Sequence, residues 1–301
     1  MLKSHFKIAI RSLAKRRGFA LINIVGLSLG LWCTLLIGIW IADELDKDGF
    51  HENGDRISQV MTSFHPEEGA MNTWDGTGYP VGEALATNIP EFESVVRTAG
   101  PRESVMKVGE KTIGAKVVGA DIDFFKLFSF PLKMGSADNC LKGLKNVVLS
   151  AEMADIYFPN GNALGKTVNL MLDETSEPFL VSGIFEKLPE ASTLQFDAVL
   201  PLNNFLPMNN KSWGNTWVKT FVLYDQNTNF EQLILKIKDI PEKVGGDTYR
   251  TLSLQPFEDR YLYAEFEKGK AVGGRIDYVI LFGIIAIFTL LIACFNFINL
   301  T

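Results

Sequence analysis

Two long apolar segments constrain this chain more than any other feature of its sequence. Phe19 to Ala42 and Tyr278 to Thr301 are each 24 residues long and contain no charged residue. At ~1.5 Å of rise per residue, a helix of that length reaches about 36 Å, which is enough to cross the ~30 Å hydrocarbon layer of a bilayer with some tilt. We therefore predict two transmembrane helices, at residues 19–42 and 277–301.

Each segment has an alternative interpretation. A secretory signal peptide would have an apolar region of only ~7–15 residues followed by a cleavage site of small residues, and Trp40-Ile41-Ala42 does not provide that site. The second segment could be a core helix of a soluble protein, but residues 282–288 are apolar on every helical face. The pattern favours a membrane anchor at each end.

Basic residues flank the first apolar segment unequally. Only Lys47 and Arg56 lie between it and residue 60, whereas six precede it, namely Lys3, Lys7, Arg11, Lys15, Arg16 and Arg17. Because positively charged flanks tend to stay in the cytoplasm, we expect both termini there and residues 43–276 on the other side of the membrane. The net charge of −6 and the acidic middle of the chain argue against nucleic-acid binding.

Residues 1–18 have the pattern of a cytoplasmic amphipathic helix. Four basic residues recur at every fourth position beside an apolar face, namely Lys3, Lys7, Arg11 and Lys15. Such a helix lies on the membrane surface, where its basic row meets anionic lipid headgroups. The alternative is an unstructured basic flank that only sets the topology.

Small residues line one side of the first predicted span. Gly26, Gly30, Thr34 and Gly38 are four positions apart and share a helical face. A stripe of this kind lets another helix approach closely, so we predict a helix-packing surface. The partner is either the second span or a helix outside this chain. Chance placement is the alternative, because glycine is common in membrane helices.

The middle of the chain predicts a mixed α/β domain without internal repeats. Predicted strands cover residues 56–64, 94–99, 105–108, 112–118, 146–149, 167–172, 179–185, 195–201, 216–224 and 251–256, and predicted helices cover 80–88, 121–128, 150–157 and 229–244. No long linker divides this region, and two lobes that share a sheet fit its size. The predicted fold class is therefore an α+β membrane protein, with two transmembrane helices that flank a domain of two lobes at residues 43–276.

Two local patterns resemble chemical motifs, and both fail their structural requirements. Asn160 to Thr167 ends like a phosphate-binding loop, but it starts with asparagine, follows a predicted helix and precedes a predicted strand, so we interpret it as a turn. Six acidic residues follow the first span at Asp43, Glu44, Asp46, Asp48, Glu52 and Asp55, and their spacing does not match a calcium-binding loop. We interpret this cluster as a solvated connector.

The sequence contains no recognisable catalytic motif. The three histidines, His5, His51 and His65, are isolated and lack a paired spacing for zinc. Neither a nucleophile elbow nor a placed pair of carboxylates is recognisable. We expect no catalytic residue, metal or cofactor, and hence no enzyme.

Several segments together resemble the permeases of FtsX/MacB-type ABC transporters, in particular the large tandem permeases of Bacteroidota. Near the first span the similar segments are Asn23 to Gly30 and Phe50 to Ile57. The others are Val147 to Ser150, Leu164 to Thr167, Val181 to Phe185, Leu254 to Phe257 and Phe295 to Thr301. The resemblance covers the whole chain.

This resemblance implies a multi-pass protein of the bacterial inner membrane with a MacB-like periplasmic core domain and further spans after the second. We therefore expect the chain to be an N-terminal fragment. The resemblance also implies mechanotransmission, in which a cytoplasmic ABC ATPase subunit drives movement of the periplasmic domain for export (efflux), for extraction of lipids or lipoproteins, or for regulation of the envelope. The implied partners are that ATPase, a second permease copy or half, membrane lipids and a periplasmic adaptor.

A different function shares the same topology. Two-span receptors bracket a periplasmic ligand-binding domain and continue into a cytoplasmic signalling region. The sequence after Thr301 would separate the two, since a permease continues with hydrophobic spans and a receptor with a charged helical linker.

Overall fold

A computed structural model describes residues 17–66, 69–159, 161–172, 175–205 and 212–299. Within it the chain divides into two units, a pair of helices from the two ends and a domain of residues 47–272. The predicted basic surface helix, with Lys3, Lys7, Arg11 and Lys15, lies outside the described residues.

The helical unit contains both predicted apolar helices. Helix α1 spans Arg17–Leu45 and helix α7 spans Arg275–Asn299. Their stretches Leu21–Leu45 and Arg275–Ile298 are long and apolar enough to cross a membrane. The two helices pack against each other, and the rings of Trp40 and Phe282 meet edge to face at 5.2 Å.

Eleven strands of the described chain form one mixed sheet in the domain. They are β1 (Ile57–Phe64), β2 (Asn72–Trp74), β3 (Phe92–Val108), β4 (Lys111–Ala120), β5 (Leu132–Met134), β6 (Asn146–Ser150), β7 (Thr167–Leu172), β8 (Thr175–Phe185), β9 (Ala198–Pro201), β10 (Lys219–Tyr224) and β11 (Arg250–Pro256). Their order is β11-β1-β10-β3-β4-β9-β6-β8-β5, with β2 beside β1 and β7 between β3 and β8. The pairs β4–β9 and β6–β8 are parallel and the others antiparallel. A separate hairpin joins β12 (Glu265–Glu267) to β13 (Lys270–Gly273).

Five α-helices of the described part of the domain accompany the sheet: α2 (Tyr79–Asn88), α3 (Phe124–Leu127), α4 (Ala151–Tyr157), α5 (Phe230–Ile237) and α6 (Ile240–Gly245). In what we name the first lobe, α2, α5 and α6 share an apolar core with β1, β10 and β11. In the second lobe, α4 shares a core with β4, β6, β7, β8 and β9. The architecture is the mixed α/β class that the sequence predicts.

Strand β3 belongs to both lobes. Its first half pairs with β10, and its second half pairs with β4 and β7. The β3–β4 hairpin turns at Gly109 and Glu110, as predicted, with Val108 opposite Lys111 and Gly109 at a φ of +58°. Because β3 is continuous through both lobes, the lobes share a single backbone element.

The predicted helix at residues 229–244 is wrong as a single element. The structure breaks it into α5 and α6, with Pro241 at the start of the second. Proline lacks an amide hydrogen and its ring clashes with the preceding turn, so it is tolerated in the first turn of a helix but not in its interior. The other expected elements are present with different bounds. Helix α3 and strands β9 and β10 are shorter than expected, whereas β4 and β8 are longer. The strands expected at 94–99 and 105–108 form the single strand β3.

A cluster of phenylalanine rings fills the core next to both lobes. Phe128 packs at centroid distances of 5.0 Å from Phe221 and 5.3 Å from Phe257. Phe124, Phe130, Phe185 and Phe196 extend the same cluster. These rings border the polar groups described next.

Candidate functional site

A two-pronged ion pair joins the helices of the helical unit at one end. Glu44 lies in the last turn of α1 and Arg275 is the first residue of α7. Arg275 donates from Nε to Oε2 of Glu44 and from Nη2 to Oε1, both at 2.8 Å. Paired parallel hydrogen bonds of this kind fix geometry as well as charge, and the Glu44 side chain is only 5% exposed. The pair therefore links the ends of the two helices.

A second polar group lies at the start of the domain, three residues after α1 in the sequence. Asp48 is buried, and its Oδ1 accepts a hydrogen bond of 2.7 Å from the backbone nitrogen of Thr193. Its Oδ2 accepts from the hydroxyl of Thr193 and lies 3.3 Å from Nη2 of Arg260. Its own backbone nitrogen donates to the carbonyl of Ala191 at 3.0 Å. We name Asp48, Thr193 and Arg260 the Asp48 network.

Arg260 enters this network from the segment that follows β11. Its guanidinium lies 4.6 Å from the ring centroid of Phe257, and it also donates to the hydroxyl of Thr193. Burial lowers the pKa of Arg260, while the charge of Asp48 opposes that shift. A charge removed from water costs several kcal/mol unless a partner compensates it, so the contact with Asp48 is what makes the buried guanidinium tolerable.

His51 lies in an aromatic cage beside the same network. Its Nδ1 accepts a hydrogen bond of 3.3 Å from the backbone nitrogen of Ser129. Its ring contacts those of Phe50, Phe128, Phe130 and Phe257. Burial lowers the pKa of His51 to about 4, so the imidazole is neutral near pH 7. A neutral ring is compatible with an apolar cage, and the negative charge of Asp48 is then compensated by Arg260 rather than by His51.

The interpretation of the acidic cluster as a solvated connector is wrong for two of its members. Glu44 and Asp48 are both buried and both paired with arginine. The arginines lie more than two hundred positions away in the sequence, and local spacing gives no sign of them. Thr193 and Arg260 carried no signal that the sequence analysis could have used.

The structure places three of the four small residues of α1 toward α7. A Cβ at Gly30 would lie 2.6 Å from the Cβ of Ala293, and one at Gly26 would lie 3.5 Å from Nδ2 of Asn296. The hydroxyl of Thr34 donates to the carbonyl of Gly30 at 2.8 Å and lies 3.4 Å from the carbonyl oxygen of Ala286.

Gly38, the fourth member of the stripe, differs from the other three. A Cβ added there would have no atom within 4 Å among the described residues. That the stripe holds the helices together in the membrane stays a prediction.

The other sequence motifs show no chemistry in the described part of the chain. No group of three or more His, Cys, Asp or Glu residues there could hold a metal ion. The loop-like segment that ends at Thr167 leads directly into strand β7 rather than a helix, as expected for a turn. Gly165 has a φ of +77°, a backbone conformation that glycine adopts readily.

The sequence matches a family model that fits this architecture. Residues 20–240 match the model of the MacB-like periplasmic core domain, which is more than half of the chain. The chain belongs to this family. The match includes most of the domain of residues 47–272, which we name the MacB-like core domain, and the family is that of ABC transporter permeases. The two apolar helices are consistent with an inner-membrane protein.

Solved structures add support for the fold. A domain of a protein assigned as a permease in Porphyromonas gingivalis is 22% identical, with a TM-score of 0.59, and the match covers 77% of this chain and 99% of that one. The periplasmic region of MacB from Actinobacillus actinomycetemcomitans is 18% identical, with a TM-score of 0.46 and coverage of 64% and 87%. The extracellular domain of the ABC-type transporter YknZ from Gram-positive bacteria is 15% identical, with a TM-score of 0.43 and coverage of 64% and 98%.

Only the first of these likenesses is close enough to bear on the fold of the MacB-like core domain. No curated protein matches the sequence.

Proposed function

We propose that this chain transmits force across the membrane, so that ATP hydrolysis by a separate cytoplasmic ABC ATPase subunit moves the MacB-like core domain. The movement would serve export, extraction of lipids or lipoproteins, or regulation of the envelope. Family membership supports a permease over a two-span receptor. ATP chemistry would belong to the partner subunit, and this chain would supply the moving part.

The observation that carries the proposal is the Asp48 network. Asp48 is the third residue after α1, and Arg260 lies between β11 and β12, with the β12–β13 hairpin between it and α7. One buried group therefore joins the beginning of the domain to a segment near its end. A membrane helix that tilts pulls on the chain that follows it, and a fixed entry passes that pull to the whole domain rather than unravelling its first residues.

The remaining features fit the same function. We propose that Lys3, Lys7, Arg11 and Lys15 hold a cytoplasmic helix on anionic lipids, and that Gly26, Gly30 and Thr34 let α1 pack closely against α7. The other partners of the proposed assembly are a second permease copy or half and a periplasmic adaptor. We also propose that the Glu44–Arg275 pair, which joins the two helix ends, makes them move together.

The test uses the complete permease with its ATPase in lipid nanodiscs. A spin label on Leu235→Cys, an exposed position of α5, reports distances between the domains of two permease copies, with Cys33 and Cys294 changed to serine. We expect the distance distribution to shift when ATP is added. An ATPase variant that cannot bind ATP is the control and should show no shift.

An unchanged distribution while ATP is hydrolysed would contradict force transmission. A shift of equal size with the control ATPase would show that the movement does not depend on nucleotide, and the proposal would fall as well.

A further inference from the structure

The two lobes of the domain meet at a cleft with a volume of about 300 Å³. A bulge in β3 opens one side of it, since Gly100 and Pro101 together stand opposite the single residue Val118 of β4. Gly100 has a φ of +97°, and a Cβ there would lie 3.0 Å from the carbonyl oxygen of Val117. The bulge therefore depends on glycine, and its residues Gly100 and Pro101 line the cleft.

One part of the cleft wall is apolar. Val118 from β4 and Phe124 from α3 line it, together with Leu194 and Phe196 from the segment before β9. Val118, Phe124 and Phe196 are buried, and the two rings pack against each other at 5.7 Å. Small-molecule sites of ~300–1,000 Å³ commonly combine such an apolar wall with a few placed polar groups, and they occur often where domains meet.

Four basic residues line the remainder, namely Arg102, Lys116, Lys219 and Arg260, against one acidic residue, Glu103. Lys219 lies 2.6 Å from Oδ2 of Asp75, and Arg260 pairs with Asp48. The Arg102 guanidinium lies 5.3 Å from the ring centroid of Phe205.

Lys116 is the exposed member of this set. No ion pair of its ammonium group is found in the parts of the chain that the structure covers. Among the residues that line the cleft, basic side chains thus outnumber acidic ones.

The Arg260 guanidinium has unused hydrogen-bonding capacity. Arginine carries five N–H donors in a planar fork. The two acceptors found for Arg260, on Asp48 and Thr193, are both contacted by Nη2. Its Nε is buried and has no acceptor among the described residues. A carboxylate or similar anion in the cleft would add an acceptor beside a guanidinium that burial has already deprived of water.

We propose that this cleft binds a small organic anion that carries an apolar group. Lys116 and Arg102 contact the anionic group at the rim, Arg260 contacts it from inside, and the wall of Val118, Phe124 and Phe196 contacts the apolar part. The site is separate from force transmission in its chemistry, and it shares Arg260 and Thr193 with the Asp48 network. Binding there would act on the same group that joins the beginning of the domain to a segment near its end.

The test is calorimetric titration of the full chain in nanodiscs of zwitterionic lipid. The probe is 4-phenylbutyrate, and 4-phenylbutyramide and inorganic phosphate are the matched ligands that lack its charge or its apolar group. We expect saturable binding of one phenylbutyrate per chain, with both matched ligands at least tenfold weaker. Empty nanodiscs give the background from partitioning into lipid.

Two variants and a control identify the site. Lys116→Gln and Arg102→Gln should each weaken phenylbutyrate binding at least tenfold. Lys107→Gln changes an exposed lysine outside the cleft on β3, the strand of Arg102, and should leave phenylbutyrate binding unchanged.

Absence of saturable binding would overturn the proposal. If 4-phenylbutyramide bound as tightly as phenylbutyrate, charge would not contribute to recognition. If phosphate bound as tightly, the apolar wall would not contribute. Unchanged affinity in both cleft variants would place the ligand elsewhere. None of these results depends on an ATPase, so the test is independent of force transmission.

Discussion

A single carboxylate organises the beginning of the domain. Asp48 has a φ of +61°, a left-handed conformation that aspartate and asparagine tolerate better than most residues. That turn points the side chain at Thr193 and Arg260 in the domain interior. Burial makes this arrangement sensitive to substitution, because loss of one partner leaves the other charge without compensation.

We predict that Asp48→Ala lowers the free energy of unfolding by ~3–5 kcal/mol, since it leaves the Arg260 guanidinium buried and unpaired. Asp48→Asn should cost less, because its amide oxygen still accepts from the backbone of Thr193 and asparagine tolerates the backbone conformation. Denaturant unfolding of the full chain in detergent, followed by tryptophan fluorescence, measures both. Lys187→Ala, which removes an exposed ion pair with Glu152, is the control. Equal stability of Asp48→Ala and the wild type would rule out the network as a structural anchor.

His51 gives the domain a predicted pH dependence. Its folded pKa of about 4 lies below the value of 6.5 for a free imidazole, so the unfolded chain binds more protons between these values. Stability contributed by neutral His51 is therefore present above pH 6.5 and is lost as the pH falls toward 4. The loss should be on the order of 3 kcal/mol.

The measurement for His51 is the unfolding free energy of the wild type and of His51→Asn between pH 4 and 7. Asparagine keeps an acceptor for the backbone of Ser129 but does not titrate in this range. The wild type should lose more stability on acidification than the variant does. Parallel curves would show that His51 does not contribute to the pH dependence.

At the scale of elements, small side chains decide how closely two helices approach. Gly30 lies against Ala293 of α7, whereas Gly38 on the same helix has open space. In the domain, β3 plays the comparable role, since it is continuous through both lobes and its bulge opens the cleft between them. In α1 the small residue Gly30 allows a close helix contact, and in β3 the bulge lines the cleft between the lobes.

Gly30→Leu should weaken the contact between α1 and α7, because its Cβ alone would lie 2.6 Å from that of Ala293. Overpacking of this kind costs ~1–3 kcal/mol. Gly38→Leu is the matched control on the same helix and should have little effect. The thermal midpoint of the full chain in nanodiscs measures the difference. If both variants behave alike, the close approach at Gly30 does not stabilise the helix pair.

At the scale of the whole molecule, the proposed function assigns ATP hydrolysis to a partner subunit and movement to this chain. In the described part of this chain, two buried carboxylates pair with distant arginines. Glu44 pairs with Arg275 in the helical unit, and Asp48 pairs with Arg260 in the domain. In the proposed function, the first would make the two helices move together, and the second would hold the beginning of the domain to a segment near its end. The proposed function requires the ion pair and the hydrogen bonds of the Asp48 network to remain intact while the helices tilt.

Charge reversal tests the role of the Glu44–Arg275 ion pair. Glu44→Arg should reduce the ATP-dependent shift of the domain by more than half while the ATPase still hydrolyses ATP, because the helix ends then repel each other. The double variant Glu44→Arg with Arg275→Glu restores opposite charges and should recover most of the shift. Distances from the same Leu235→Cys label provide the measurement. A full shift in the single variant would show that the pair is not needed for coupling.

The sequence by itself determined the features that depend on neighbouring residues. The charge-free runs predicted α1 and α7, the position of Gly109 predicted the β3–β4 turn, and Ser150 predicted the start of α4, where its hydroxyl accepts from the backbone of Met153. Family motifs led to the correct fold class. The break at Pro241 was equally local, and it was missed because the apolar pattern continued across it.

Only the tertiary structure decided which charges meet. Asp48 is 145 positions from Thr193 and 212 from Arg260, and Glu44 is 231 from Arg275. Residues this far apart come together only after the sheet order and helix packing bring their segments into contact, so no local period encodes the pairing. The same reason explains the cleft, whose charged and apolar walls come from segments spread across most of the domain.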